Sequence, residues 1–533
     1  MENNEMIHWA DRHADKIIEM HGDKDVYCCA SGITPSGIVH IGNFREIITV
    51  DLVVKALQDK GKKIRFIYSW DNYDRFRKVP GNVPKDKVEL MKNEIGKPVI
   101  DVIDPFGCHK SWAEHFQVLM EDTVKKVAIN PEFLYQSELY RSCVYADGIK
   151  EAMTNRKKIA EILNRSRKEP LSPNWYPISI YCEKCGKDND TEVSGYDELY
   201  TIEYKCSKCN YCGKADFRKK GIIKLGWRPD WAMRWAYYDE SFEPGGKDHF
   251  SAGSSYFSSS NIVKDVYCCI PPYGFMYDFV RLKGMGGKMS SSSGNVVTVD
   301  DVLDIYLPEI VRFFFAGTKP NKEFSIPFDE DVFKTYDDFY NIEKLAFEES
   351  SDKNVLQAKR VYRFSVVDKI AGKLPIQPSF REIVDIIQGT MDEKKTLDIV
   401  FEKYGAEKSK VNLTRVKYMI TAAKNWIDKY AEDRFRLVVN KSVPKEVILS
   451  LNKDVKKSIV MVLEELKKDK KLSESDIFGI FRYAANQNNV SLKEFFKGFY
   501  QVVLSRDQGP KLAAFLLAIG LDKVIKLLDD LKK

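Results

Sequence analysis

Between Val26 and Trp70 the hydrophobic pattern changes its period repeatedly, and this stretch constrains the fold more than any other. Val26 to Ala30 is a short apolar run, the mark of a buried strand. Ser31-Gly-Ile-Thr-Pro-Ser-Gly37 breaks it with two glycines and a proline. After His40, the residues Ile41, Phe44, Ile48, Leu52 and Ala56 recur at spacings of three and four, a helix that Gly61 stops. From Lys63 to Trp70, Ile64, Phe66 and Tyr68 alternate with polar positions. Strand, loop, helix and strand make a βαβ unit, right-handed and with parallel strands, so the fold is α/β with a Rossmann-type sheet.

The remaining organisation follows from length and pattern. At roughly 150 residues per domain, 533 residues imply about three or four domains. Residues 1–320 are expected to form a Rossmann-type domain with an insertion over 72–220. Within it, 182–217 reads as a small knuckle or ribbon. A second half of the sheet is expected over about 221–318, including the apolar run Val266 to Pro271, with Cys268 and Cys269, like Cys28 and Cys29, as small strand hydrophobes. Residues 321–533 read as all-α. Ile459, Val462, Leu463 and Leu466 form one apolar face, and Leu512, Phe515, Leu516, Ile519, Val524 and Leu528 another, interrupted at Gly520. The apolar stretch Leu512–Leu521 is far shorter than the ~20 residues of a membrane span, and the acidic, polar start Met-Glu-Asn-Asn-Glu is no signal peptide. Lys and Arg total 84 against 78 Asp and Glu, a net charge of +6, so any nucleic-acid surface must be local.

Three constellations carry chemistry. In Pro35-Ser-Gly-Ile-Val-His-Ile-Gly-Asn43 a strand meets a helix N-terminus, whose free N–H groups attract phosphate. Gly37 and Gly42 permit close backbone approach, and His40 can donate to a phosphoryl oxygen. In Gly284-Met-Gly-Gly-Lys-Met-Ser-Ser-Ser-Ser-Gly-Asn295, Lys288 and the hydroxyls that follow suit a polyphosphate. Cys182-x-x-Cys185 and Cys206-x-x-Cys209 have the spacing of a four-thiolate zinc site, with Cys212 as an alternative ligand. Eleven cysteines, an odd number and clustered this way, argue for metal thiolates in a reducing cytoplasm rather than disulfides.

The first two constellations, in this order, resemble the HIGH and KMSKS signatures of class I aminoacyl-tRNA synthetases. Asn43 stands in place of the second histidine and Ser291 in place of the second lysine. Their longer forms resemble the class I lysyl-tRNA synthetases, as do Tyr73-Asp-Arg-Phe-Arg-Lys-Val-Pro80, Asp104-Pro-Phe-Gly-Cys-His109, Ala113-Glu-His-Phe116, Gly246-Lys-Asp-His249 and Gly509-Pro-Lys-Leu-Ala-Ala-Phe-Leu516. The resemblance implies that lysine is activated with ATP to lysyl-adenylate and passed to the 3′-terminal ribose of tRNA(Lys), with Mg²⁺ accompanying ATP and a structural Zn²⁺. It assigns His40 to the α-phosphate, Lys288 to the departing pyrophosphate, Ser290 and Ser291 to holding that loop, and Asn43 to supporting the nucleotide. Pro35, Gly37 and Gly42 line the same ATP site, and Gly245, Gly246 and Asp248 take the ribose. For the amino acid, Gly32 and Thr34 are expected at its α-carbon end. Trp231, Tyr277 and His249 are expected along the stem and ε-ammonium, with Asp71 nearby, although Asp71 could equally cap a helix. The α-helical part should bind the anticodon, with Tyr430–Arg436 and Phe495–Arg506 as candidate contacts. The rival readings are a glutamate enzyme, a non-catalytic tRNA-binding relative, and a nucleotidyltransferase with a small acceptor.

Overall fold

The computed structural model describes residues 8–251, 253–283, 296–469 and 471–532. Two compact units emerge. One comprises Met1–Val302, Val311–Ile326 and Glu348–Ile370; the other comprises Leu303–Ile310, Pro327–Phe347 and Ala371–Lys533.

The first unit is built on a four-stranded sheet. After the helix α1 (Trp9–His21) come β1 (Tyr27–Ile33), the helix α2 (Ile41–Asp59), β2 (Ile64–Trp70) and β3 (Glu132–Tyr135). Strand order is β3-β2-β1 followed by Glu240–Phe242, and every pairing is parallel. The βαβ unit is therefore present, and Gly61, at φ +78°, follows the end of its helix. The chain steps outward from β1 to β2 and β3 and returns at Glu240–Phe242 on the other side of β1, so the strand order reverses there and a crevice opens at the carboxyl end of β1, where α/β sheets bind ligands.

α2 is buried on nearly every side, from Ile41 to Leu57. Arg45 and Arg312 in this unit are enclosed. Arg45 donates to the carbonyls of Phe279, Pro320 and Lys322. Arg312 donates to the carbonyls of Val127 and Phe364 and pairs with Asp51 at 2.6 Å. Arg45 satisfies carbonyls of connecting segments, and Arg312 those at the ends of two helices.

Two expectations need correction. The run Val266–Pro271 is not a strand: Cys268 adopts φ +54° and Ile270 is 58% exposed. Pro271 and Pro272 lack the N–H that a ladder requires. Cys28 and Cys29 do lie in a strand and are buried. The region after 321 also begins with a strand, Phe324–Pro327, which pairs with Val280–Lys283. A few apolar residues bounded by Lys322-Glu323 and Asp329-Glu330 are too short a signal to distinguish strand from helix.

The insertion carries a three-stranded antiparallel ribbon, Thr191–Tyr196, Thr201–Cys206 and Tyr211–Asp216. The second unit is helical in its described residues. Ile459, Val462, Leu463 and Leu466 are all buried, and Gly520, at φ +97°, separates Leu512–Ile519 from Leu521–Leu528. Phe495 and Phe499 are fully buried in this core, so neither can stack on a base.

Removing one partner of a buried ion pair strands the other charge. Asp51→Ala is expected to lower unfolding free energy by about 3–5 kcal/mol in denaturant titration. A loss below ~1 kcal/mol would show that Arg312 is satisfied by its carbonyls alone.

Candidate active site and metal centres

The crevice at the end of β1 is framed by the start of α2. His40 is the N-cap: its Nδ1 accepts from the Asn43 N–H at 3.2 Å, while Asn43 Oδ1 accepts from the His40 N–H at 3.3 Å. This capping box turns the ring so that Nδ1 is an acceptor, which leaves the proton on Nε2 as a donor. Burial holds the His40 pKa below its ordinary value, which favours this neutral form. Asn43 thus supports the site through His40.

Gly32 closes β1 under a steric constraint. A Cβ there would lie 2.7 Å from the Ser69 carbonyl oxygen on β2. Its N–H donates to Glu46 Oε1 at 3.0 Å, and Tyr277 donates its hydroxyl to Glu46 Oε2 at 2.6 Å. Glu46 projects from the second turn of α2, and burial raises its carboxyl to about 7. Sequence reasoning named Gly32 and Tyr277 but missed Glu46, which joins them. A glutamate in an otherwise apolar helix was the available signal.

Behind this crevice lies a buried charge network. Asp71, directly after β2, pairs with Arg234 at 2.9 Å, and Arg234 also faces Asp230. Lys224 bridges Asp230 at 3.2 Å and Asp74 at 3.0 Å. Asp74 in turn accepts the Thr34 hydroxyl at 2.8 Å. Burial works to raise both carboxyls. It prevails at Asp71, whereas at Asp74 it is outweighed by Lys224 and Thr34, which hold the group below its ordinary value. Asp71 is therefore engaged with Arg234, and Thr34 is oriented by the network.

Two tryptophans of one helix lie beside His249: Trp231, with ring centroids 5.7 Å apart, and Trp227. Trp231 is 5% exposed and donates its indole N–H to Glu243 at 2.7 Å. Trp227, one helical turn earlier, stacks on Trp231 with centroids 5.0 Å apart, sits 6.1 Å from His249 and is 36% exposed. Trp227 is thus the tryptophan with an open surface beside His249, whose Nδ1 lies 2.7 Å from the Ser255 hydroxyl. Gly245 and Gly246 pair in parallel with Met276 and Tyr277, and Asp248 follows in an exposed turn of helix. Pro35 and Gly37 are buried in the loop between β1 and α2, and Gly42 is the second residue of α2. Lys288, Ser290 and Ser291 lie outside the described residues.

Two clusters have metal-ligand geometry. Cys182, Cys185, Cys206 and Cys209 place their sulfurs within 4.8 Å of one another. Cys182 and Cys209 are 3.6 Å apart, and Cys185 and Cys206 are 3.8 Å apart. A tetrahedron with about 2.3 Å metal–sulfur bonds has edges of about 3.8 Å. The two knuckles match: Gly186, at φ +72°, follows Cys185, and Asn210, at φ +56°, follows Cys209. Asn210 sends the chain back into the ribbon, so Cys212 pairs opposite Lys205 and is exposed. Cys209 is therefore the residue that completes the set.

The second cluster, Asp104, Cys108, His109 and His115, was not anticipated. Cys108 Sγ lies 3.1 Å from His109 Nδ1 and 3.2 Å from His115 Nδ1, and the two Nδ1 atoms are 3.2 Å apart. Asp104 is oriented by the N–H groups of Phe106, Cys108 and His109. Cys-His followed six residues on by a second His was a readable signal. Elemental analysis of purified protein is expected to give two metal ions per chain. Cys209→Ser should remove one, His115→Ala the other, and Cys212→Ser neither; metal loss on replacing Cys212 would refute the assignment.

Comparison with known proteins identifies the family. The profile described as tRNA synthetases class I (K) matches residues 7–368. The chain is 42% identical over 524 residues to a lysine–tRNA ligase of Borrelia garinii subsp. bavariensis, covering 98% of each chain. It is 40% identical over 533 residues to the lysine–tRNA ligase of Thermococcus kodakarensis, covering 98% of this chain and 99% of the other. The profile covers more than half of the sequence, and the relatives span nearly all of it: the chain belongs to the tRNA synthetases class I (K).

Proposed function

We propose that the chain is a lysine–tRNA ligase. Lysine's carboxylate oxygen attacks the α-phosphorus of ATP and pyrophosphate departs, giving lysyl-adenylate. A hydroxyl of the terminal ribose of tRNA(Lys) then attacks the lysyl carbonyl, and AMP leaves. Both steps ask the protein for alignment and charge stabilisation rather than for a nucleophile of its own.

The observation that carries the lysine reading, beside the relatives, is Glu46: a carboxylate set between the Gly32 N–H and the Tyr277 hydroxyl, suited to an ammonium group of lysine. A glutamate side chain would instead need a free arginine, and Arg234 is already held by Asp71 and Asp230. Thr34, oriented by Asp74, contacts the amino acid, and Trp227 with His249 flanks its stem. His40 Nε2–H meets the α-phosphate, and Lys288, with Ser290 and Ser291 shaping its loop, draws off the pyrophosphate. Gly245, Gly246 and Asp248 take the ribose. Mg²⁺ arriving with ATP adds positive charge at the polyphosphate. The four cysteines hold a structural Zn²⁺, since soft thiolates with no open position favour zinc without catalysis. Asp104, Cys108, His109 and His115 hold a second. The helical unit binds the anticodon end of the tRNA; exposed Phe478 and Tyr483, with Arg482 over the Phe478 ring at 5.6 Å, form a surface suited to base stacking.

Charging unfractionated tRNA with each labelled amino acid in turn is expected to incorporate lysine alone; incorporation of glutamate instead would overturn the reading. Lys288→Ala should slow adenylate formation by orders of magnitude while lysine still binds, and a near-parental rate would remove Lys288 from its role. Glu46→Gln should raise the KM for lysine about 10–100-fold and leave the KM for ATP within about twofold. The pH dependence has a definite sign. As pH falls through about 7, Glu46 takes up a proton and loses its charge, while lysine's ammonium groups stay charged. The KM for lysine should therefore rise on acidification, and Glu46→Gln should flatten that rise.

A further inference from the structure

Residues 77–95 of the insertion enclose an open groove of about 480 Å³. Its rim carries Arg77, Lys78, Lys85 and Lys92. Of these only Lys92 has a carboxylate partner among the described residues, Glu89 at 2.6 Å. Arg77, Lys78 and Lys85 make no side-chain hydrogen bond or ion pair among the described residues. The walls are apolar: Val79, Val83 and Ile95 line the groove, and Val83 belongs to a buried cluster with Phe76 and Trp112.

These features together select a ligand. Three cations without counter-ions around one concavity cost self-repulsion, which a polyanion relieves. Phosphate alone would not need an apolar wall. Duplex RNA presents phosphates and ribose but keeps its base faces stacked, so it would leave the wall uncovered. An unpaired nucleotide offers both, a charged backbone for the rim and a flat base for the valines and isoleucine.

We propose that this groove receives an unpaired nucleotide of the tRNA, with its phosphates on Arg77, Lys78 and Lys85 and its base against Val79 and Ile95. The proposal rests on the tRNA-charging function set out above and adds a tRNA-binding surface outside the reaction crevice. It makes these side chains positioning residues for tRNA, separate from the lysine and ATP sites.

The test is aminoacylation kinetics with lysine and tRNA, combined with tRNA binding at several salt concentrations. Arg77→Ala and Lys78→Ala should each raise the KM for tRNA about tenfold, with the KM values for lysine and ATP within about twofold of the parent. The slope of log Kd against log salt should fall by about 0.7 for each phosphate that is no longer neutralised. Arg77→Lys, which keeps the charge, should recover most of the affinity. Val79→Glu, placing a negative charge on the wall, should weaken tRNA binding at least as much as either alanine variant. Against the parent enzyme, an unpaired RNA oligonucleotide should compete with tRNA more strongly than a duplex of equal length. An unchanged tRNA KM and salt slope in both alanine variants would overturn the proposal, as would a rise confined to the KM for ATP. Failure of the parent to charge tRNA with any amino acid would instead sink the function on which the proposal rests.

Discussion

Two reciprocal hydrogen bonds between His40 and Asn43 hold the first turn of α2 over the carboxyl end of β1. They add side-chain partners to a first turn whose Ile41 N–H reaches the Val297 carbonyl and whose Asn43 N–H also reaches the His40 carbonyl. They also set the histidine's tautomer, because a neutral imidazole that accepts at Nδ1 must carry its proton on Nε2. Further along the same helix stands Glu46, which ties β1 through Gly32 and the later strand through Tyr277. The orientation of α2 thus places the histidine donor and the carboxylate acceptor at a fixed separation along one rigid element.

The steric constraint at Gly32 sharpens this arrangement. β1 and β2 approach so closely at Ser69 that no side chain fits at position 32. The glycine is required by the sheet, and the crevice it leaves is a consequence. Asp71, Asp74, Asp230, Lys224 and Arg234 then form the polar floor. Three carboxylates against two cations leave that floor with a formal deficit of one positive charge when all five groups are ionised. Thr34, at the edge of the crevice, inherits its orientation from Asp74.

The βαβ unit was legible because its signals are local. Ile41, Phe44, Ile48, Leu52 and Ala56 keep helical spacing, and Gly61 needs a left-handed φ that glycine adopts without steric cost. The four-cysteine cluster was legible for a similar reason, since two knuckles of fixed spacing are each short-range objects. The run Val266–Pro271 misled because apolar composition does not distinguish a strand from a half-exposed connection. The three tryptophans 227, 231 and 235 share a helix, and which one faces open space depends on what packs against that helix.

Sequence alone determined the α/β class, the parallel first pair of strands, the helical second half and three of the four sulfurs of the cysteine cluster, since each depends on residues within a few positions of one another. Tertiary structure alone decided between Cys209 and Cys212, brought Glu46 onto Gly32 and Tyr277, and gathered Asp104, Cys108, His109 and His115 onto one point. The reason is physical. Local periodicity encodes which face of an element is apolar, but the partner of a buried polar group is set by register and crossing angle between elements that lie far apart in the chain, and no single element contains that information.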